Sequence, residues 1–135
     1  MDMLTLGAET VESSGLILVV DDERGFCDVV TMILESQGYR VNKAHHANDA
    51  FGMLDETMPD LILTDMMMPD IDGVSLIKRL RETPAWADIP VIVVSAYSEP
   101  EVQENAFEAG AADFIAKPFS ASELRSTVGA IFTKN

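Results

Sequence analysis

The hydrophobic pattern of this chain predicts an α/β fold, a five-stranded, doubly wound parallel sheet. Three observations carry that expectation. Short strand-like runs begin near residues 16, 40, 60, 90 and 112. Between them lie segments whose apolar residues recur at helical spacing. Runs one, three and four are more apolar than runs two and five, which puts the former in the middle of the sheet and the latter at its edges. The spacing leaves room for a helix between successive strands, so the strands should be parallel, with right-handed crossovers and helices on both faces. The order that fits is 2-1-3-4-5.

Each element has its own signal. Residues 1–15 are polar, end in Ser13-Ser14-Gly15 and read as an N-terminal tail or linker before a domain over 16–133. Leu16-Ile17-Leu18-Val19-Val20 is a continuous apolar run, the mark of a strand buried on both faces. Phe26, Val29, Val30, Ile33 and Leu34 fall on one face of a helix that Gly38 ends. Residues 40–44 form a more polar strand, and a helix is expected over Asn48 to Glu56. Leu61-Ile62-Leu63 is the third strand, and Leu76, Ile77 and Leu80 mark a helix stopped before Pro84. Val91-Ile92-Val93-Val94 is the fourth strand, followed by a helix from about Glu99 to Ala109 that Gly110 ends. Ala112 to Ala116 is the fifth strand, and Leu124, Val128 and Ile131 mark the last helix.

Composition narrows the function. The chain has 135 residues, of which 47% are hydrophobic, so one domain can bury a real core. With 23 acidic and 9 basic residues the formal charge is −14. So acidic a chain is a poor ligand for nucleic acid, because phosphate binding needs Lys and Arg to displace counterions. Anionic membrane surfaces are disfavoured for the same reason. No stretch approaches the ~18 apolar residues of a membrane span. The N-terminus lacks a positive n-region and carries Asp2, Glu9 and Glu12, so it does not read as a secretory signal. Cys27 is the sole cysteine and lies inside a helical pattern, where it reads as a packing residue. A reducing cytoplasm is the simplest compartment.

The strand ends carry the chemistry. Asp21, Asp22 and Glu23 follow strand one, Asp65 ends strand three, Ser95 ends strand four, and Lys117-Pro118 ends strand five. In a parallel sheet these carboxyl ends share one edge, beside the switch point between strands one and three where such sheets bind ligands. Carboxylates gathered there repel one another. A hard divalent cation resolves the repulsion, and Mg²⁺ suits one or two carboxylates with water and phosphate oxygens. Ligands of the zinc or copper kind are missing from the set. His45 and His46, after an edge strand, read as surface residues.

Four motifs in order resemble response-regulator receiver domains of two-component signalling, of the chemotaxis-regulator kind. They are Val20-Asp21-Asp22-Glu23, Thr64-Asp65 through Asp72-Gly73, Ile89-Pro90 through Ser95-Ala96, and Phe114 through Lys117-Pro118-Phe119. The resemblance covers about residues 15–133 and implies a flavodoxin-like (βα)5 fold. It implies that Asp65 accepts a phosphoryl group and that Asp22 ligates Mg²⁺ directly, Asp21 mainly through water, and Met67 through its backbone carbonyl. Lys117 would pair with the phosphoryl group, its Lys-Pro bond cis. Ser95 would hydrogen-bond that group, and Phe114 would be the aromatic switch beneath a face built from helix four, strand five and helix five. The position two residues after the acceptor is Met67, and two after the hydroxyl is Tyr97. Both are bulky and neither is an acid or amide that could orient an attacking water, so the phosphoaspartate should hydrolyse slowly.

The implied partners are a sensor histidine kinase or phosphotransfer protein and a downstream protein target, without direct nucleic acid or membrane insertion. Helix four, with Tyr97, Val102 and Phe107, is the expected partner surface. No enzyme activity beyond self-phosphorylation and autodephosphorylation is expected. A haloacid-dehalogenase-like phosphatase needs a second Asp two residues after the nucleophile, and Met67 stands there. Nuclease use of Asp70 and Asp72 lacks a basic surface, and Asp21-Asp22 would repel the phosphate of a flavodoxin cofactor. A phosphorylation-independent scaffold usually lacks part of the acidic pair, acceptor or lysine, and all are present. The chain ends at Asn135, soon after the last helix. A stand-alone regulator, a phosphorelay intermediate and one domain of a larger protein stay open.

Overall fold

The computed structural model describes residues 15–133. A tail over 1–15 thus lies, apart from Gly15, outside the described residues. Five strands, β1 (Leu16–Val20), β2 (Arg40–Ala44), β3 (Leu61–Asp65), β4 (Val91–Ser95) and β5 (Asp113–Ala116), form one sheet in the order β2-β1-β3-β4-β5. All four pairings are parallel. The intervening helices are α1 (Arg24–Glu35), α2 (Ala47–Glu56), α3 (Gly73–Glu82), α4 (Pro100–Ala109) and α5 (Ala121–Phe132).

The unbroken apolar runs are buried on both faces because side chains alternate across a strand. Leu18, Val20, Ile62, Val91 and Val93 join Ala50, Leu54, Leu76, Ile77 and Leu80 beneath α2, α3 and α4. Ile17, Val19, Leu61, Leu63, Ile92 and Val94 join Val30, Leu34, Leu124 and Val128 beneath α1 and α5. The polar run Arg40–Ala44 buries only Ala44 and forms an edge, as its composition requires.

Some details differ from expectation. The inward stripe of α1 is Cys27, Val30, Thr31 and Leu34, whereas Val29 is 54% exposed. Rotating the stripe by one position keeps the i, i+3, i+4, i+7 spacing and brings the small thiol under the sheet edge. Helix α1 ends at Glu35, and a turn through Gly38, at φ 95°, closes the exit. Helix α2 begins at Ala47, and α4 begins at Pro100 with Glu99 as its cap. A helix's first residue and its cap differ by one position and are hard to separate from sequence.

Gly110 caps α4 at φ 118°, where a side chain would be strained and its Cβ would lie 2.9 Å from Arg81 Nε. Arg81 occupies that space for a reason. Its guanidinium donates to the carbonyls of Ala87 (2.9 Å), Ile89 (2.8 Å) and Gly110 (3.0 Å), tying α3 to the entry of β4 and the exit of α4.

Candidate functional site

Strand register assembles the site. Val20 pairs with Thr64, which sets Asp21 level with Asp65. Asp65 pairs with Val94, and Ser95 pairs with Ala116, so Ser95 and Lys117 extend just beyond. One carboxylate oxygen each from Asp21, Asp22 and Asp65 lies within 4.8 Å of the others. Asp21 is buried, Asp22 is exposed, and Asp65 is intermediate.

Asp21 is held from several sides. Its Oδ1 accepts the Glu23 backbone N–H at 2.9 Å, and its Oδ2 accepts Lys117 Nζ at 3.1 Å. Its own N–H donates to the Ala44 carbonyl at 3.0 Å. Its carbonyl lies 3.0 Å from His45 Nδ1 and accepts the Cys27 thiol at 3.3 Å. His45 is therefore partly buried and fastens the acidic loop, a role its place after an edge strand did not suggest; His46 is exposed, as expected.

Lys117 Nζ lies 3.8 Å from Asp65 Oδ2 as well, between the two carboxylates, and 3.8 Å from Glu23 Oε1. Its ammonium stands 4.0 Å from the centre of the Phe26 ring, which Phe119 meets edge-on at 5.8 Å. The ring face favours a cation and steers the lysine inward. The Lys117–Pro118 bond is cis, as the resemblance implied.

The Asp65 carboxyl is pushed above its ordinary range, first by burial and then by the Asp21 charge, while Lys117 and the backbone N–H groups of Met67 and Met66 work against the rise. The β3–α3 loop is closed by the Gly73 N–H on the Met66 carbonyl at 2.8 Å. A Cβ at Gly73 would stand 3.0 Å from the Asp65 carbonyl oxygen and from the Met66 Cα, so a side chain there would press on the backbone of the acceptor loop. Asp72 caps α3 through the Ser75 N–H, and Asp70 accepts the Asn48 N–H, which anchors the loop to α2. Met66 and Met68 are buried packing residues, whereas Met67 is 56% exposed.

Ser95 is fully buried, and its hydroxyl accepts the Tyr97 N–H at 3.0 Å. Among the described residues it makes no hydrogen bond to Asp65. Its carbonyl takes the Lys117 N–H at 2.8 Å, which couples the two positions through the sheet. Phe114 is half-buried and packs against the core beneath α3 and α4.

Residues 17–129 match the family described as the response regulator receiver domain. This chain belongs to that family. It is 38% identical over 118 residues to the phosphate regulon transcriptional regulatory protein PhoB of Escherichia coli, an alignment covering 87% of this chain and 52% of that protein. The chain spans about half the length of the first curated relatives it matches. Among solved structures it is similar to the signal receiver domain of a signal transduction histidine kinase from Syntrophus aciditrophicus, with a TM-score of 0.81 and 35% identity over 90% of this chain and 93% of that one. It is similar also to the receiver domain of a Francisella response regulator, with a TM-score of 0.83 and 30% identity over 89% of this chain and 98% of that one. The chain is a receiver domain of the two-component response-regulator type, with the flavodoxin-like fold its motifs implied. No helix among the described residues is long and apolar enough to cross a membrane.

Proposed function

We propose that this receiver takes a phosphoryl group onto Asp65 and uses the product as a signal to a protein partner. The observation that carries the proposal is the lysine between two carboxylates, 3.1 Å from Asp21 and 3.8 Å from Asp65, at the level where the strand register aligns β1 with β3. One Asp65 oxygen would bond phosphorus as the donor's bond to phosphorus breaks, the leaving group keeping the electron pair. Lys117 would turn toward the phosphoryl oxygens, whose charge it is placed to balance.

The donor set fits Mg²⁺, since three carboxylates within 4.8 Å offer oxygen ligands alone. Asp22 and Asp65 would hold the ion with the Met67 carbonyl, Asp21 acting mainly through water. When bound, the ion supplies positive charge against the phosphoryl oxygens.

Ser95 would exchange its Tyr97 bond for one to the phosphoryl group, leaving Phe114 room to turn inward and remodel the face of α4, β5 and α5. The exposed side chains of Tyr97 and Phe107 support the α4 part of that face as a partner surface. The donor would be a sensor histidine kinase or a phosphotransfer protein, met in the cytoplasm. Catalysis would be confined to the domain's own phosphorylation and slow dephosphorylation, since Met67 and Tyr97, two residues after the acceptor and the hydroxyl, are bulky and neither is an acid or amide that would orient an attacking water.

Acetyl phosphate, supplied with and without Mg²⁺ to wild type and Asp65→Asn, tests this by intact mass. A phosphate adduct that needs Mg²⁺ and is lost in the variant is expected. No adduct under any condition would leave a phosphorylation-independent scaffold, and an adduct surviving the change would place the acceptor elsewhere.

A further inference from the structure

Between α3 and α4 lies an open groove of about 930 Å³. Met67, Val74, Tyr97, Val102 and Ala109 give it an apolar floor. Its rim is acidic. Asp72, Glu99, Glu101 and Glu108 line it, against the single base Lys78. All four acids are exposed, and among the described residues none forms an ion pair. The imbalance runs through the whole sector, since between Arg81 and Lys117 the sequence holds seven acids and no Lys, Arg or His.

An apolar floor within an unpaired acidic rim selects by charge as well as by shape. Simple surface solvation accounts for acids, but it leaves exposed Tyr97 and Met67 beside them unexplained. We infer that the α3–α4 groove docks a basic amphipathic helix of a partner protein, with apolar side chains on Val74, Val102 and Ala109 and Lys or Arg against the rim. A second copy of the chain fits poorly, because each carries a formal charge of −14 and would set acid against acid. Nucleic acid is repelled for the same reason.

The groove shares Tyr97 and Val102 with the α4 part of the proposed partner face, but β5 and α5 contribute no lining residue, and the inference does not require a phosphorylated Asp65. The test therefore uses the unphosphorylated protein without Mg²⁺, so its failure and the failure of Asp65 as acceptor are separate results. The probe is a synthetic peptide of about 16 residues, long enough to sustain a helix, with Leu at i, i+3, i+4 and i+7 and Lys at flanking positions. Amide shifts of the ¹⁵N-labelled protein are expected to centre on Met67, Val74, Tyr97, Val102 and Ala109. Reversing Glu99, Glu101 and Glu108 to Lys should weaken binding at least about tenfold. Reversing Glu35, Asp55 and Glu56, an equal charge change elsewhere, should have little effect. The milder Glu99→Gln, Glu101→Gln, Glu108→Gln variant gives the same ordering if Lys at the start of α4 disturbs the helix. Shifts spread over the whole acidic surface, equal losses in both reversal sets, or equal binding of a peptide with Glu in place of Lys would overturn the inference. Concentration-dependent shifts at the groove without peptide would assign it to a second copy and overturn it too.

Discussion

Replacing Asp65 with Asn should make the metal-free domain more stable, although it removes the proposed acceptor. Asp65 faces the Asp21 and Asp22 carboxylates within 4.8 Å and Lys117 at 3.8 Å. At an effective dielectric near 20, each repulsion is about 3.5 kcal/mol and the attraction about 4.4 kcal/mol. Two repulsions exceed one attraction by about 2.5 kcal/mol. Exposure of Asp22 screens part of this, so a gain of about 1–2 kcal/mol remains for the isosteric amide. Urea unfolding in chelator, followed by the fluorescence of the sole tryptophan, Trp86, reads the change. The midpoint should rise by about 0.5–1 M. Saturating Mg²⁺ should then reverse the ranking. At a hundredfold excess over its dissociation constant it adds about 2.7 kcal/mol to wild type, and it should add clearly less to a variant that has lost a ligand. An Asn variant no more stable than wild type in chelator would refute the electrostatic reasoning, as would an equal Mg²⁺ gain in both proteins.

Lys117→Met should cost about 3–5 kcal/mol in chelator, because it strands the buried Asp21 carboxylate, and should abolish uptake of phosphate from acetyl phosphate; urea midpoints and intact mass check the two effects. Arg81→Met removes three charge-assisted bonds to backbone carbonyls and should cost about 2–4 kcal/mol, with Arg81→Lys intermediate, as read by Trp86 fluorescence in urea. A cost below about 0.5 kcal/mol would mean that water replaces the clamp freely. Cys27 is fully buried and its thiol is pushed up to about 11, first by burial and then by the Asp21 charge. Alkylation by iodoacetamide near neutral pH should therefore follow unfolding, and rapid labelling of the native protein would contradict that burial.

The legible parts of the fold were those with strong local patterns. The runs Leu16–Val20, Leu61–Leu63 and Val91–Val94 are apolar without interruption, and a strand buried on both faces needs nothing else to be recognised. Strand order followed from contrast with Arg40–Ala44, and the strand ends then placed Asp21, Asp22, Asp65 and Lys117 on one edge. The less legible parts depend on partners distant in the chain. Val29 and Cys27 are both plausible inward residues on a periodicity argument, and only packing against the sheet chooses the thiol. His45 fastens the Asp21 carbonyl across 24 positions, and Arg81 reaches Gly110 across 29. No local pattern marks either role. Ser95 was expected on the phosphoryl group; its hydroxyl accepts the Tyr97 N–H, a bond that no local pattern in the sequence marks. The sector without bases was readable in the sequence, but the groove it rims needed α3 and α4 side by side.

Site mapping of the phosphoprotein tests the central claim most directly. An aspartyl phosphate is an acyl phosphate, and borohydride reduces it with loss of phosphate to leave homoserine at the modified position. Peptide mass spectrometry after reaction with acetyl phosphate and Mg²⁺ should find homoserine at position 65 and aspartate retained at 21 and 22. Homoserine at 21 or 22, or a phosphate group that survives borohydride on another side chain, would contradict the assignment of Asp65 as the acceptor.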